Sequence, residues 1–194
     1  MVSNCCGPVF TSAALGIEFT FINVVEYYNE SLDNFFVSGS QPDIDALDSE
    51  RIPGWRRANG GFSGSSIPID YWNGALIRSV PVCRFYLPPG SHFFSASADE
   101  CNALAMQSSG FVLETRAAFY AVLPNLFTGT CPTGAGGFGL GLDFYPVYRL
   151  WNNRADTKHR FTASLDDRAE MVEKDWISEG YGPMGVAMCY PYWY

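Results

Sequence analysis

Pro146-Val147-Tyr148-Arg149-Leu150-Trp151-Asn152, a polar turn, and then His159-Arg160-Phe161-Thr162-Ala163-Ser164 is the stretch that decides how this chain reads. Both runs are rich in aromatic and β-branched residues and are bounded by polar ones, the pattern of two strands joined as a hairpin. The same pair stands twice more upstream. Pro81-Val82-Cys83-Arg84-Phe85-Tyr86 precedes His92-Phe93-Phe94-Ser95-Ala96-Ser97, and Val24-Val25-Glu26-Tyr27-Tyr28-Asn29 precedes Asn34-Phe35-Phe36-Val37-Ser38. Each first run carries one charge at the same place: Glu26, Arg84 and Arg149.

A short helix is expected after each hairpin. Ser97 with Glu100 has the spacing of a capping box, Ser164 with Asp167 is a weaker relative, and Ser40 is the candidate cap in the first stretch. Apolar positions follow at helical spacing: Ile44 and Leu47, then Cys101, Leu104 and Ala105, then Met171 and Val172, with Arg168 breaking the third face. Two more strands should close each unit. The first begins at Trp55, Phe111 or Trp176. The second lies at Ala118–Val122 and Gly185–Cys189; in the first unit it lies at Phe62 or between Ile67 and Trp72. The chain therefore reads as α+β, with three pseudo-symmetric β-β-α-β-β repeats of mostly antiparallel strands. Their spacing is unequal, which suits a closed trefoil-like or propeller-like arrangement better than a solenoid. The expected organisation is an N-terminal segment, residues 1–23, packed on a single domain, residues 24–194, with repeats at about 24–73, 81–124 and 146–191. A unit this short does not bury a core of its own.

Composition excludes several classes. The 194 residues include 15 Phe, 11 Tyr and 5 Trp, too many for disorder, and the 19 Gly and 12 Pro supply frequent turns. A net charge of −8 with no basic cluster disfavours nucleic acid and anionic lipid. There is no apolar run of membrane-spanning length, and without a basic leader or small-residue cleavage site the chain is read as a mature form. No G-x-S-x-G elbow, H-E-x-x-H helix or phosphate-binding glycine motif occurs, and the glycine-rich 134–142 stretch reads as a loop. Nothing in the spacing identifies an enzyme, a cofactor or a metal.

The paired runs resemble a repeat domain of unknown function common in secreted bacterial proteins, whose copies read as a "YRxYN" strand, "HFYTTS", a Glu-containing helix and "GWxxEG". The stretches that carry the resemblance are Cys83–Tyr86 with His92–Ser97, Tyr148–Asn152 with His159–Ser164, and Trp176, Glu179 and Gly180. Asn34 stands where the family has its histidine. The resemblance implies an accessory or binding role beside secreted hydrolases or surface proteins, and it carries no activity of its own.

The matched positions supply the candidate ligand-binding residues: His92 and His159, Arg84 and Arg149, Glu114 and Glu179, with Tyr86 and Trp151. An Arg of the first strand is expected to pair with a Glu of the third in the same unit. His92 and His159, in separate copies, are not expected to share a metal. The aromatic surplus points the same way, with Tyr27, Tyr28, Tyr86, Trp151, Tyr190, Tyr192, Trp193 and Tyr194 as rings expected to include exposed ones. The reading that results is a secreted or surface module that binds glycan or cell-envelope material through aromatics. The alternative is a structural surface protein that self-associates.

Six cysteines suit an oxidising compartment. If the second unit's helix sits over its first strand, Cys83 and Cys101 bond. If the third unit closes on itself, Cys131 and Cys189 bond. Cys5 and Cys6 then either form a vicinal bond or bond to another chain.

Overall fold

The fold was taken from a computed structural model, which describes residues 9–12, 17–72, 75–88, 90–107, 110–133 and 143–191. Cys5, Cys6, the 134–142 glycine stretch and Tyr192, Trp193 and Tyr194 lie outside the described residues.

The chain is α+β with mostly antiparallel sheets. The first stretch contains β1 (Val9–Ser12), β2 (Ile17–Asn29), β3 (Asn34–Ser38), α1 (Gln41–Asp48), β4 (Trp55–Arg57) and β5 (Phe62–Ser65). A two-stranded ribbon, β6 (Tyr71–Trp72) with β7 (Ala75–Leu76), leads to β8 (Val80–Leu87), β9 (Ser91–Ser95), α2 (Ala98–Met106) and β10 (Val112–Ala121). The third stretch contains β11 (Phe144–Trp151), β12 (His159–Thr162), α3 (Leu165–Glu173), β13 (Ile177–Glu179) and β14 (Val186–Pro191).

In each stretch the first strand is central. β2 pairs with β3 on one side and with β4 and β5 on the other. β8 pairs with β9 and β10. β11 pairs with β12, β13 and β14. Two expected strands in the second stretch are one, because β10 runs through, with register shifts between Leu113 and Phe119 where a break was expected. In the first stretch Phe62, not the Ile67–Trp72 segment, marks the closing strand. β2 also starts earlier than Val24, at Ile17, so part of the N-terminal segment belongs to the first strand itself.

A hydroxyl two residues before each helix cap turns the chain from strand to helix. Ser38, Ser95 and Thr162 accept the backbone N–H of Ser40, Ser97 and Ser164. Ser97 and Ser164 then accept the N–H of Glu100 and Asp167 as side-chain caps, whereas Ser40 makes no such bond and α1 starts with Pro42 in its first turn. At the far end the chain enters the left-handed region at Gly54, Gly110 and Asp175, which reverses it so that Trp55, Phe111 and Trp176 follow directly.

One core cluster draws on all three stretches. Val24, Val82 and Val147, from the three central strands, are at most 1% exposed, and they join Val37, Phe94 and Phe161 from the second strands. The rings of Phe94 and Phe161 meet edge to face at 5.4 Å. Both bonds expected between described cysteines are present: Cys83–Cys101 at a Cα separation of 6.2 Å and Cys131–Cys189 at 5.7 Å.

Candidate functional site

The helix starts position the polar groups of the site. Asp43, Glu100 and Asp167 each stand third in their helix, where the N-terminal dipole favours a carboxylate. Ser38 donates to Asp43 at 2.8 Å and Thr162 to Asp167 at 3.2 Å, which fixes both carboxylates at the strand-to-helix turn.

Each of these acids meets a guanidinium from a different stretch or its own. Arg84 of β8 lies 2.6 Å from Asp43 and, through Nε, 2.8 Å from Glu114. Arg149 of β11 donates to Glu100 at 2.9 and 3.1 Å, and its Nε is 3.3 Å from Glu179. The two Nε contacts lie off the N–H direction, so they are charge contacts rather than hydrogen bonds. The expected Arg–Glu pairs within one stretch are therefore present, and each Arg is shared with a helix acid of the preceding stretch that sequence spacing does not reveal.

Aromatic rings complete the pattern. Arg84 lies over Phe36 at 5.7 Å and Arg149 over Phe93 at 4.7 Å. His92 packs on Phe36 at 4.6 Å, and His159 on Phe93 at 4.9 Å. Between the third stretch and the first the charges are exchanged. Glu26 takes the first-strand position and Arg160 faces it, at 2.9 and 3.2 Å, while Arg160 also pairs with Asp167 at 2.9 Å and lies over Phe35 at 4.2 Å. Asn34 does not hold the histidine's place. Tyr86 and Trp151 stand opposite His92 and His159 in the strand pairs, and Tyr28, the residue two after Glu26, stands opposite Phe35. Counting back from the helix caps reaches the same three residues.

The candidate residues thus form two groups, His92, Arg84, Glu114 and Tyr86 in one and His159, Arg149, Glu179 and Trp151 in the other. The second group, with Phe93, Glu100 and Phe111, lines a cleft of about 280 Å³. Of the aromatic set expected to include exposed rings, Tyr28, Tyr86, Trp151 and Tyr190 are half-buried and Tyr27 is buried. Tyr27 lies near the end of β2, paired with β3 and β4 on either side, and its hydroxyl reaches Asp48 at 2.9 Å, so the ring is buried without stranding its polar end.

Two nitrogens of cleft-lining residues, Trp151 Nε1 and His159 Nδ1, are themselves buried and have no hydrogen-bond partner among the described residues. His159 Nε2 is 3.2 Å from Glu179, and the indole N–H of Trp151 is a donor. Burial would raise the Glu179 carboxyl, but the His159 hydrogen bond and the charges of His159 and Arg149 more than offset it and hold it below its ordinary value. No group of three or more His, Cys, Asp or Glu among the described residues is placed to hold a metal.

His92 behaves differently. Burial, reinforced by the Arg84 charge, depresses it to about 4, although Glu114 lies 3.5 Å away. An unfolded histidine titrates near 6.5, so the unfolded chain binds the extra proton as pH falls from about 6.5 to about 4, and folding stability falls with it. Wild type should lose about 2 kcal/mol more than His92→Gln between pH 7 and 4.5, read from urea midpoints at the two pH values. Parallel pH dependences for the two proteins would contradict this.

Residues 141–186 match a family described as a domain of unknown function (DUF5648). The match falls on the third stretch, which carries Arg149, His159 and Glu179. No curated protein and no solved structure matches the chain.

Proposed function

We propose that the chain is a secreted or surface-borne accessory module of three diverged copies closed around a common core, and that it binds a saccharide in the cleft between its second and third stretches. The observation that carries this reading is the pairing of unsatisfied groups with rings. Trp151 Nε1 is an unpaired donor and His159 Nδ1 an unpaired polar nitrogen, both buried among the residues that line the cleft, and a sugar hydroxyl entering there reaches them once those side chains shift on binding. Phe93, Phe111 and Trp151 supply apolar faces for the ring carbons, while Arg149 between Glu100 and Glu179 supplies charge-assisted partners for further hydroxyls. The volume is at the small end of the roughly 300–1,000 Å³ usual for ligand clefts, which suits one or two sugar rings. Support for three copies comes from the common strand pairing and from the cyclic order of the Arg84–Asp43, Arg149–Glu100 and Glu26–Arg160–Asp167 contacts. Support for secretion comes from the two disulfides. Among the described residues no helix is long and apolar enough to cross a membrane.

A glycan array followed by calorimetry on the strongest hit tests the reading. Trp151→Ala should weaken binding about tenfold or more, and Phe127→Ala, which removes a ring 92% exposed elsewhere on the chain, should leave it unchanged. An array with no hit, or binding indifferent to Trp151→Ala, would overturn it. The alternative of a self-associating surface protein draws on Leu126 and Phe127, adjacent and exposed in one turn. A monomer by light scattering at high concentration sets that alternative aside.

A further inference from the structure

A second and larger cleft, about 500 Å³, opens between the third stretch and the first. Its chemistry runs against the composition of the chain. Arg56, Arg57, Arg154, Arg160 and Lys174 line it, five of the 12 basic residues in a chain of net charge −8, against only Asp33, Asp167 and Glu170 of the 20 acidic ones. Arg160 is committed to Glu26 and Asp167 and is buried. The other four have side chains between 51% and 67% exposed.

The partners of two of those four are exchangeable. Arg56 is 3.8 Å from Glu30, itself 80% exposed, and Lys174 pairs with Glu170 one helical turn away in solvent. Exposed pairs of this kind contribute little, so an incoming anion can replace them. Arg57 and Arg154 hold their carboxylates, Asp48 and Asp33, more closely. Behind the rim is a continuous run of rings, Tyr28 to Phe35 at 4.6 Å and Phe35 to Trp176 at 6.3 Å, with Arg56 over Tyr28 at 5.5 Å. Where the other cleft has Glu179 opposite Arg149, this one has Ala58, one residue past β4, whose N–H bonds the carbonyl of Glu26. A carboxylate that would repel an anion is thereby missing from this wall.

We propose that this cleft is a second saccharide site, selective for acidic sugars, in which Arg56 and Lys174 take the carboxylate or sulfate and Arg56, swinging off the Tyr28 ring it covers, frees that face for the sugar ring. The inference rests on the reading of the chain as a saccharide-binding module but uses different residues. Calorimetry with a galacturonic acid trimer, a sulfated galactose trimer and a neutral galactose trimer separates the possibilities, on wild type, Arg56→Glu/Lys174→Glu and Trp151→Ala. At least one acidic trimer should bind wild type and Trp151→Ala alike. It should weaken about tenfold or more in the charge-reversed protein, and similarly as NaCl rises from about 0.05 to about 0.5 M. Which acidic trimer binds identifies the anion. Binding of neither, or binding that survives the charge reversal, would overturn the acidic site whatever happens at Trp151. Loss of neutral binding in Trp151→Ala bears only on the other cleft. Thermal melts check that the double variant folds, and Arg56→Ala, at a largely exposed position, replaces it if it does not.

Discussion

Arg160→Ala should cost the fold about 3–5 kcal/mol in urea titrations, the usual penalty for removing one partner of a buried ion pair. Glu26 is 0% exposed and accepts Arg160 at 2.9 and 3.2 Å and the N–H of Gly60 at 2.9 Å. Burial already pushes its carboxyl above the ordinary value with Arg160 in place, so without the guanidinium the carboxylate must take up a proton or remain charged in apolar surroundings. Asp167 loses its 2.9 Å partner at the same time. The other two junctions show how the contact can be rebuilt, since each has an Arg on the first strand over a Phe of the preceding second strand. Glu26→Arg with Arg160→Phe converts the third junction to that form, with Asp167 left to receive the new Arg as Asp43 and Glu100 receive theirs. The double variant should regain most of what either single change loses. A cost below about 1 kcal/mol for Arg160→Ala would contradict the buried-pair argument. A double variant no better than its singles would count against equivalent junctions and hence against three copies.

The order of strands and helices was legible because each element carries a local signal. Aromatic runs mark the strands, and a Ser three residues before an acid marks all three helix starts, two of them with the side-chain cap bond made. The Cys83–Cys101 bond was legible for the same reason, as a consequence of a helix folded back over its own strand. The Asn34 alignment failed because Asn34-Phe35-Phe36 and His92-Phe93-Phe94 look alike as letters. The physical anchor is the hydroxyl two residues before the cap, Ser38 or Ser95, and it shifts the match by one. Which of the aromatic rings are exposed was not legible, because strand alternation assumes one open face, and β2 buries the adjacent Glu26 and Tyr27 alike. The acids that complete the site were not legible at all. Asp43 meets Arg84 across 41 residues, Glu100 meets Arg149 across 49, and Glu26 meets Arg160 across 134. Contacts at such separation leave no periodicity in the chain; only the capping position of the acids hints that each is held ready for a partner.

Replacing Cys131 and Cys189 together by Ser should destabilise the protein by about 4 kcal/mol, more than the roughly 3 kcal/mol expected for the Cys83/Cys101 pair, because the bond closes 58 residues rather than 18. The loop it closes contains the whole third stretch from β11 into β14. Cys189 also exchanges both backbone hydrogen bonds with Val122, at 3.0 and 2.7 Å, so the covalent tie and the backbone pair hold the third stretch to the end of the second at one point. Without the bond, that β-bridge, the Arg149–Glu100 and Arg160–Glu26 contacts and the shared core alone hold the third stretch in place, and sub-global opening becomes cheaper than global unfolding. Amide exchange should therefore accelerate across β11–β14 in the Cys131→Ser/Cys189→Ser protein while β8 and β9 keep most of their protection. In the Cys83→Ser/Cys101→Ser protein the acceleration should instead centre on α2, whose buried face Cys101 anchors to β8. Equal losses in the two variants would contradict the loop-length argument, and uniform acceleration in both would mean that the bonds act through the unfolded chain alone and that the third stretch does not open as a unit.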